Sequence, residues 1–391
     1  MTKKQQVKTH AQSMTLDALT LKRALPFVKP TQSRRALSPG LHVTENAGFA
    51  ALTGWTRDLE ISINLPDPWT EFNGRLVFQP LYNFVKACRT GETLTLTRVA
   101  DDYVEIKTGS TTLTILPDSY EERPRLIKER PNHCNVLLDT NAFLSSLDLV
   151  KCAMSNEHTR YYLNGIYIHA HESDPTGLVF VATNGHQLVS HTLTGVTHTL
   201  DPAEPSLDSR KGFLIPRDTI AALYPLLKAF PSAQAEFAFI EKNLLTITTP
   251  DFTLGTQLID GTFPDYKRVI PKNTNYCCTI DAASLHQFIT RSVALSSKNN
   301  CLIKIESVKD SREIKLSHTV SGNCINTLFT GHCQTNLEIG FNSKYLLQAM
   351  GILKTPKIRL FANDSLGPAI FCGPEELADP ATILVIMPAR V

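Results

Sequence analysis

The sequence predicts an α+β fold in which one plan of helices and strands is used three times. Three segments with apolar residues three and four positions apart begin at Asp17, Asp139 and Asp281, and this spacing indicates amphipathic helices. Each is followed by alternating β-branched stretches, a second short helix and a further set of strands. Two helices and several antiparallel strands in each pass place the chain in the α+β class.

The remaining elements of each pass follow from the same periodicities. The second helices are predicted at 80–90, 216–229 and 342–354. Strands are predicted at 48–65, 165–193 and 302–329 after the first helices, and at 94–116, 235–259 and 357–387 after the second. Each pass takes about 115 to 140 residues, the size of one modest domain. We therefore expect an N-terminal tail at 1–13 and three modules at 14–133, 134–275 and 276–391.

Composition excludes several classes of protein. The chain has 391 residues, of which 42% are hydrophobic and 19% charged, as in ordinary globular proteins. The longest apolar run, 383–387, is too short to cross a bilayer. Lysines near the N-terminus are not followed by an apolar core, so we expect a cytoplasmic protein without a secretory signal. The nine cysteines lack paired spacing, which indicates reduced thiols.

Charge is distributed unevenly along the chain. The formal net charge of +2 is too small to indicate a nucleic-acid-binding protein. The six helical segments together are net positive, however, and the rest of the chain is net negative. Helices on one common surface would suit sequence-independent contact with phosphates, whereas the alternative is ordinary solvated, lysine-rich helix faces.

The stretch 258–271 has the composition of a linker. It combines the Asp260-Gly261 turn signal with prolines at 264 and 271. Because each proline restricts the preceding residue to extended backbone, we expect an extended segment with Arg268 and Val269 side by side, and not a helix. An ordinary crossing between domains is the simpler interpretation.

Two further stretches have alternative interpretations. Asn184-Gly185 after the strand 178–182 predicts a β-hairpin, which is either a plain exposed turn or one lip of a groove lined by His186 and Leu188. The apolar C-terminal stretch 383–391 is either tucked into a core or part of a binding patch for apolar side chains of another protein.

Sequence motifs for catalysis are absent. There is no phosphate-binding glycine loop, nucleophile elbow, paired CxxC or HExxH. His169 and His171 share a strand face without a third metal ligand, so a solvated face is the favoured interpretation. His332 and Cys333 point apart on a strand and do not form a nucleophile pair. We expect neither an enzyme nor a metal site nor a cofactor.

Five stretches together resemble the bacterial β sliding clamp, the processivity subunit of the replicative DNA polymerase. They are RYYLNG at 160–165, VATNGHQL at 181–188, IDGTFPDYKRVIPKN at 259–273, GFN at 340–342 and VIMPAR at 385–390. The resemblance extends from about Met14 to Val391, in the order of the family. It implies the DNA clamp fold, in which three repeated modules form half of a closed ring. The ring would be a homodimer that encircles duplex DNA and catalyses no reaction.

The resemblance also implies a groove between modules two and three. This groove receives a short linear peptide from the polymerase, the clamp loader and repair proteins, and its apolar walls take a leucine and an aromatic side chain. The matching positions, which we call the groove residues, are Leu163, Thr183, Gly185, His186, Leu188, Pro264, Arg268, Val269, Leu366, Val385, Ile386, Met387, Pro388 and Arg390.

Other positions match the family's DNA-contacting and dimer surfaces. The dimer positions are Leu113 and Leu295. The positions expected at DNA are Arg34, Arg35, Arg160, Tyr161, Tyr162 and Arg217.

Several residues depart from the family pattern. In the groove these are Gln187 for arginine, Pro368 for serine and Ala389 for methionine. Elsewhere they are Glu157, Asp218, the pair Pro80 and Leu81, and Thr111. These departures leave one functional alternative open: a divergent paralogue, from a plasmid, phage or accessory system, that binds partner peptides without supporting main replication.

Overall fold

The structure, a computed structural model, describes most of the chain. The described residues are 12–32, 40–46, 48–68, 72, 74–99, 103–116, 126–127, 135–200, 212–241, 243–272, 275–296, 301–373 and 381–390.

These residues form six α-helices, four short 3₁₀ helices and 26 β-strands. The α-helices are α1 (Ala18–Val28), α2 (Phe78–Ala87), α3 (Thr140–Val150), α4 (Arg217–Ala229), α5 (Ala282–Leu295) and α6 (Ser343–Leu353). The 3₁₀ helices are Lys29–Gln32, Lys151–Ala153, His158–Leu163 and Tyr266–Arg268.

The strands are short, and 17 of them lie largely within the predicted stretches. The strand directly before each α-helix was not predicted, nor were the strands at 40–46, 197–198 and 332–333. The first half of the chain contains β1 (Gln12–Asp17), β2 (Gly40–Asn46), β3 (Phe49–Trp55), β4 (Leu59–Pro68), β5 (Gly74–Leu76), β6 (Thr93–Val99), β7 (Tyr103–Thr108), β8 (Thr111–Ile115), β9 (Val136–Asp139), β10 (Gly165–Ala170), β11 (Leu178–Thr183), β12 (Gln187–Leu193) and β13 (Thr197–His198). The second half contains β14 (Gly212–Pro216), β15 (Gln234–Glu241), β16 (Leu244–Thr248), β17 (Phe252–Gln257), β18 (Tyr276–Asp281), β19 (Leu302–Ser307), β20 (Glu313–Val320), β21 (Asn323–Thr330), β22 (His332–Cys333), β23 (Leu337–Asn342), β24 (Lys357–Phe361), β25 (Ala369–Cys372) and β26 (Thr382–Ile386).

Capping side chains explain where three helices begin. The carboxylate of Asp17 accepts a hydrogen bond from the amide of Leu19 at 3.0 Å, and that of Asp281 accepts from Ser284 at 2.8 Å. The Asn342 side chain accepts from the amide of Lys344 at 2.9 Å. Each bond satisfies an amide that the first helical turn leaves without a partner. The predicted starts at Asp17 and Asp281 are thus confirmed.

The chain divides into two compact units. Unit 1 comprises 1–141 and 218–258, and its strands form antiparallel sheets in the orders β1-β6-β7-β8 and β9-β15-β16-β17-β4-β3-β2-β5. The apolar face of α1, including Leu21 and Leu25, is buried beside β3 and β4. The fully buried Glu60 accepts hydrogen bonds from the amides of Leu126 and Ile127 at 2.8 and 3.0 Å, so its charge has partners.

Unit 2 comprises 142–217 and 259–391. Its larger antiparallel sheet has the order β14-β10-β11-β12-β26-β25-β24-β18-β22, and its smaller sheet the order β21-β20-β19-β23. Helices α5 and α6 pack against each other. The larger sheet joins strands that are almost 200 residues apart in sequence, because β12 pairs with β26.

The α+β prediction is confirmed, since helices and antiparallel sheets are mixed along the whole described chain. The second helix of the first pass starts at Phe78, two residues before the predicted Pro80, which lies within its first turn, where a proline is tolerated. Strand β1 begins at Gln12, so the two residues before Met14 belong to a strand. The three-module boundaries remain a prediction.

Candidate functional site

The turn between β11 and β12 is held by its own side chains. The Thr183 hydroxyl donates to the carbonyl of Gln187 at 2.8 Å and accepts from the amide of Gly185 at 3.1 Å. The Asn184 side chain accepts from the amides of His186 and Gln187 at 2.9 and 3.0 Å. Gly185 has a φ of +84°, which favours glycine. The hairpin prediction is confirmed, and His186 is exposed at its tip.

The C-terminal stretch lies beside this turn. Leu188 of β12 is opposite Val385 of β26, and the pairing continues past the strand because the Met387 amide donates to the His186 carbonyl at 2.8 Å. The Ala389 amide donates to Gly340 at 2.8 Å, which ties the end of the chain to β23. Val385 and Ile386 are buried, whereas Met387 and Pro388 are half-buried. The stretch is therefore tucked into a core at one end and accessible at the other.

The backbone of the linker 258–271 differs from the predicted extended conformation in its middle part. The expected extended backbone is wrong there, because Tyr266–Arg268 forms a 3₁₀ turn in which the Val269 amide donates to the Tyr266 carbonyl at 3.0 Å. Pro264 and Pro271 restrict only the residue before each of them, which leaves 265–269 free to turn. This turn exposes Arg268 and Val269 while Tyr266 is buried.

One apolar cluster underlies these three stretches. It combines buried side chains of the 3₁₀ helix His158–Leu163, β11, β12, β14, β26 and the linker, namely Leu163, Val179, Val181, Leu188, Leu214, Phe263, Tyr266 and Val385. Above it, Pro264 is exposed, and so is 42% of Val269. The structure thus brings the turn, the linker and the C-terminal strand together around a rigid apolar base with an exposed apolar rim.

Not all groove residues play the same part. Leu163, Leu188 and Val385 are buried in the apolar base, and Thr183 holds the turn. Ile386 is also buried, but it is not part of this cluster because it points to the opposite face of the sheet from Val385. The exposed groove residues are Gly185, His186, Pro264, Arg268, Val269, Leu366 and Arg390. Leu366 is 68% exposed, so its side chain is available to a partner. Arg268 is paired with Asp265 at 2.8 Å on the surface.

A polar network crosses the apolar cluster. His169 is buried, with Nδ1 2.7 Å from the Ala170 carbonyl and Nε2 2.9 Å from the Tyr266 hydroxyl. Because a carbonyl only accepts, Nδ1 carries the proton and Nε2 accepts from Tyr266. Burial lowers the pKa of His169 and raises the pKa of Tyr266 to about 12, so both side chains are neutral near pH 7. The expected solvated face for His169 is therefore wrong.

The structure also places side chains near the groove that the sequence did not single out. Tyr345 of α6 stacks on His186 with ring centroids 6.2 Å apart. Burial raises the pKa of Tyr345, and a hydrogen bond with the Asn184 side chain opposes that shift. Tyr345 lies in the first turn after the GFN stretch, and its aromatic character on a helix otherwise full of apolar residues was the only signal available.

The departures from the family pattern have distinct environments. Gln187 is buried, and its amide donates to the Cys152 carbonyl at 3.0 Å. Pro368 is half-buried directly before β25, and Ala389 is exposed. Thr111 and Asp218 are exposed at the starts of β8 and α4, while Leu81 is buried in α2.

Four of the six residues expected at DNA lie within the described part of the chain. Arg34 and Arg35 lie outside the described residues. Arg160, Tyr161 and Tyr162 share the 3₁₀ helix His158–Leu163, where Tyr161 is 52% exposed and Tyr162 packs against the apolar cluster. The Arg217 guanidinium donates to the Ser155 carbonyl at 2.9 Å, so it is tied to the start of the same loop.

The residues expected at the dimer surface lie near sheet edges. Leu113 is half-buried on β8, which is an edge strand of the four-stranded sheet of unit 1. Leu295 is 55% exposed at the end of α5, a helix that packs on β20 and β21 of unit 2. Strand β21 is likewise an edge strand among the described residues, and its Leu328 is 62% exposed.

The described ranges contain no group of three or more histidine, cysteine, aspartate or glutamate side chains arranged for a metal ion. Seven of the cysteines among them are free thiols, as expected, namely Cys88, Cys152, Cys277, Cys278, Cys301, Cys324 and Cys333, and Cys134 lies outside the described part of the chain. None of the helices within the described ranges is both long and apolar enough to cross a membrane.

Comparison with known proteins identifies the family. Residues 137–265 match the model of the DNA polymerase III beta subunit, central domain. Residues 267–390 match the model of the DNA polymerase III beta subunit, C-terminal domain. The two matches cover well over half of the chain.

Relatives and solved structures agree with this match. The beta sliding clamp of Caulobacter vibrioides is 26% identical over 387 residues, covering 97% of this chain and 100% of the relative. The beta sliding clamp of Pseudomonas aeruginosa is 26% identical, covering 85% of this chain and 89% of the relative. The crystal structure of the Bartonella birtlesii DnaN sliding clamp bound to griselimycin has 26% identity and a TM-score of 0.82, covering 98% of this chain and 100% of that one.

The predicted clamp fold is thereby confirmed, and the names and near-complete coverage of the relatives do not favour the accessory-paralogue alternative. Sliding clamps are processivity factors and not enzymes, in agreement with the absence of catalytic motifs. The chain belongs to the bacterial β sliding clamp family, the β subunits of DNA polymerase III.

Proposed function

We propose that two copies of this chain form a ring around duplex DNA and hold the replicative polymerase to it through the groove residues of unit 2. The observation that carries the proposal is the pairing of Leu188 with Val385, which sets an exposed apolar rim over a buried apolar base. A preformed apolar groove with few polar groups suits a short linear peptide. Polymerase, clamp loader and repair proteins are the proposed donors of that peptide.

The apolar anchors of such a peptide have a physical place to bind. Val269 and Leu366 are exposed, and Met387 and Pro388 are half-buried next to the paired strands. Burying exposed apolar side chains against a partner is favourable by about 25 cal/mol for each Å² removed from water. The exposed His186 ring, stacked on Tyr345, adds an aromatic wall.

The homodimer is proposed from the open sheet edges. The backbone of β8 and that of β21 are each paired on one side only among the described residues. An unpaired edge is a template for another strand, and pairing β8 of one protomer with β21 of its partner would close two equivalent junctions. Leu113 and Leu295 are the apolar side chains proposed to be buried there.

DNA contact is proposed to be electrostatic and independent of base sequence. Arg160, Arg217 and the tyrosines 161 and 162 are the described candidates from the resemblance. Five of the six helices also carry exposed basic side chains: Lys22, Arg23, Lys86, Arg217, Lys228, Arg291 and Lys344. Such contacts fit a protein that is retained by encirclement, because no single contact has to be strong. A replication clamp works on chromosomal DNA, so we place it in the cytoplasm.

Retention on DNA tests the proposal. The protein is loaded on a nicked circular plasmid with a bacterial clamp loader and ATP, isolated by gel filtration, and the plasmid is then cut once. We expect the protein to stay on the circle and to leave within minutes after linearisation. Bulky proteins bound at both ends of the linear DNA should restore retention. Release that is equally fast from circular and linear DNA would contradict encirclement.

A further inference from the structure

The strongest feature that the family assignment leaves unexplained is an ion pair beside the groove. Glu157 directly precedes the 3₁₀ helix His158–Leu163, and Arg160 lies within it, three residues further along the chain. Nε of Arg160 donates to one carboxylate oxygen of Glu157 at 2.8 Å and Nη2 donates to the other at 2.9 Å. This bidentate geometry fixes the direction of the guanidinium as well as its distance.

The fixed guanidinium lies against the groove turn. Nη1 of Arg160 is 2.6 Å from the position that a Cβ at Gly185 would occupy. A side chain at position 185 would therefore collide with Arg160, in addition to the strain that a φ of +84° imposes on other residues. The third nitrogen of Arg160 thus reaches the turn that presents His186 to a partner peptide.

Glu157 is close to the same end of the groove. Its negative charge contributes to raising the pKa of Tyr345, after the larger effect of burial, and Tyr345 stacks on His186. One end of the groove therefore contains an aromatic wall, a cation and the carboxylate that neutralises it.

The pair is accessible enough to exchange partners. The side chains of Arg160 and Glu157 are 39% and 44% exposed. Ion pairs of this exposure contribute little to stability, because water competes with both charges. A carboxylate of a bound peptide next to Gly185 can replace Glu157 as the acceptor of Arg160 without leaving a buried charge.

We propose that Glu157 is a specificity-determining residue of the groove, which competes with acidic residues of partner peptides for Arg160. This inference rests on the proposed peptide-binding function. Peptides with neutral flanks leave the pair intact, whereas peptides with acidic flanks must displace Glu157. Glu157 thus lowers the advantage that Arg160 would otherwise give to acidic partners.

The alternative use of Arg160 is contact with a DNA phosphate, as the family resemblance implies. A phosphate would compete with Glu157 in the same way as a peptide carboxylate. The position of Nη1 against Gly185 favours the peptide, because the guanidinium is directed at the groove turn. Retention on DNA is therefore measured alongside peptide binding.

The experiment uses full-length dimeric protein and three fluorescent peptides. All contain the same leucine and aromatic anchors; one has neutral flanks, one has two aspartates before the anchors and one has them after. Binding is measured by anisotropy for the wild type, Glu157→Gln, Arg160→Gln and the double variant. Glu338→Gln, which removes one of the two carboxylate partners of Lys304 in another ion pair of unit 2, is the matched control.

We expect Glu157→Gln to bind one of the two acidic peptides, the one whose aspartates lie next to Arg160, about 3- to 10-fold more tightly than the wild type does. Its affinity for the neutral peptide should change less than about twofold. This gain should disappear in the double variant and at high salt. Glu338→Gln should show no gain. An equal change for all three peptides, or none, would overturn the inference.

A change in salt resistance of DNA retention without a change in peptide preference would also overturn it, and would assign Arg160 to DNA. Failure of the neutral peptide to bind the wild type would instead count against the proposed groove. The two failures are therefore distinguishable.

Discussion

The β12–β26 pair and the edge strands β8 and β21 differ in whether their backbone hydrogen-bonding groups are paired on both sides within one chain. In the first region five residue pairs, from Gln187 with Ile386 to His191 with Thr382, satisfy the backbone within one chain. In the second, β8 and β21 each have a neighbour on one side only among the described residues. Pairing that is complete within a chain does not depend on protein concentration, whereas pairing with a second copy does.

This difference separates two properties of the clamp. In the proposed ring, each protomer assembles the groove base alone, so the proposed peptide affinity should survive dissociation of the ring. Ring closure should be sensitive to small changes at the exposed edges and at Leu295. Mutations that affect one property and spare the other are therefore the sharpest tests.

The largest expected effect comes from removing residues 387–391. This truncation deletes the Met387 amide that donates to His186 and the half-buried side chains of Met387 and Pro388, but it leaves β26 intact. Loss of central apolar contacts typically costs about 2 kcal/mol or more, so we expect peptide affinity to fall by about 30-fold or more. Anisotropy with the neutral peptide measures it.

Light scattering and thermal unfolding are the controls for the truncation. The truncated protein should remain a dimer and melt within a few degrees of the wild type, because the buried part of β26 is retained. A peptide with alanines at both anchors sets the level of non-specific binding. Unchanged affinity for the anchored peptide would show that the C-terminal residues are not part of the binding surface.

The next effect concerns the edges. Leu295→Asp places a charge on a side chain that is 55% exposed at the end of α5, next to β21. If this surface is buried in the dimer, an unpaired carboxylate there should raise the dimer dissociation constant about 10- to 30-fold, as measured by light scattering over a dilution series. Peptide affinity should stay unchanged.

Val308→Asp is the matched control for the edge. Val308 is 63% exposed and lies in the connection between β19 and β20. The same charge at this position should leave the dimer intact. Equal dissociation in both variants would indicate a general effect of surface charge, and no dissociation in either would place the dimer contact elsewhere.

Features that depend on residues close together in sequence could be predicted. Helix starts were predictable at Asp17 and Asp281 because a capping carboxylate acts on amides two or three residues away. The hairpin at Asn184-Gly185 was predictable for the same local reason. Most of the stretches that contain strands were predictable from alternation along the chain.

What could not be predicted depends on residues far apart in sequence. The contact of His169 with Tyr266 joins positions 97 residues apart, and nothing in the local pattern of either residue indicates it. The 3₁₀ turn at Tyr266–Arg268 was missed because it buries Tyr266 against cluster residues far away in sequence, and the two prolines do not restrict these positions. The groove residues as a set came from the family resemblance, not from periodicity.

A smaller effect should follow from Tyr266→Phe. This change removes the hydroxyl that donates to His169 Nε2 and leaves a buried acceptor without that bond. We expect the free energy of unfolding to fall by about 1 to 2 kcal/mol and peptide affinity to fall about threefold, because the linker rim is held less firmly. Denaturant titration and anisotropy measure the two quantities.

Two comparisons test the role of this hydrogen bond. Tyr82→Phe in α2 removes a hydroxyl from a half-buried ring of unit 1 and should leave peptide affinity unchanged. In a His169→Phe background, Tyr266→Phe should add little, since the two residues act as one pair. Fully additive losses would show that the hydroxyl stabilises the fold through other contacts.

The smallest effect is a pH dependence of the paired region. Burial lowers the pKa of His169 and of His191, whose Nδ1 is 2.9 Å from the Thr382 hydroxyl across the β12–β26 pair. A folded-state pKa below the ordinary 6.5 means that the unfolded chain binds more protons between the two values. The stabilisation is therefore complete above pH 6.5 and is lost as the pH falls from 6.5 towards the lowered pKa values.

Two carboxylates with lowered pKa values lose their contributions below this pH window. Asp281 and Glu306 have pKa values lowered from 3.8 and 4.5 by hydrogen bonds to Ser284 and Lys315, so their contributions are lost only at more acidic pH. Denaturant titrations between about pH 7.5 and 5.5 should show a decline in stability that His169→Gln and His191→Gln both reduce. Peptide affinity should decline only through the protonation of His169, which contacts Tyr266 of the apolar cluster, because His191 lies on the face of β12 opposite Leu188. A decline of equal slope in the variants would exclude the two histidines as its cause.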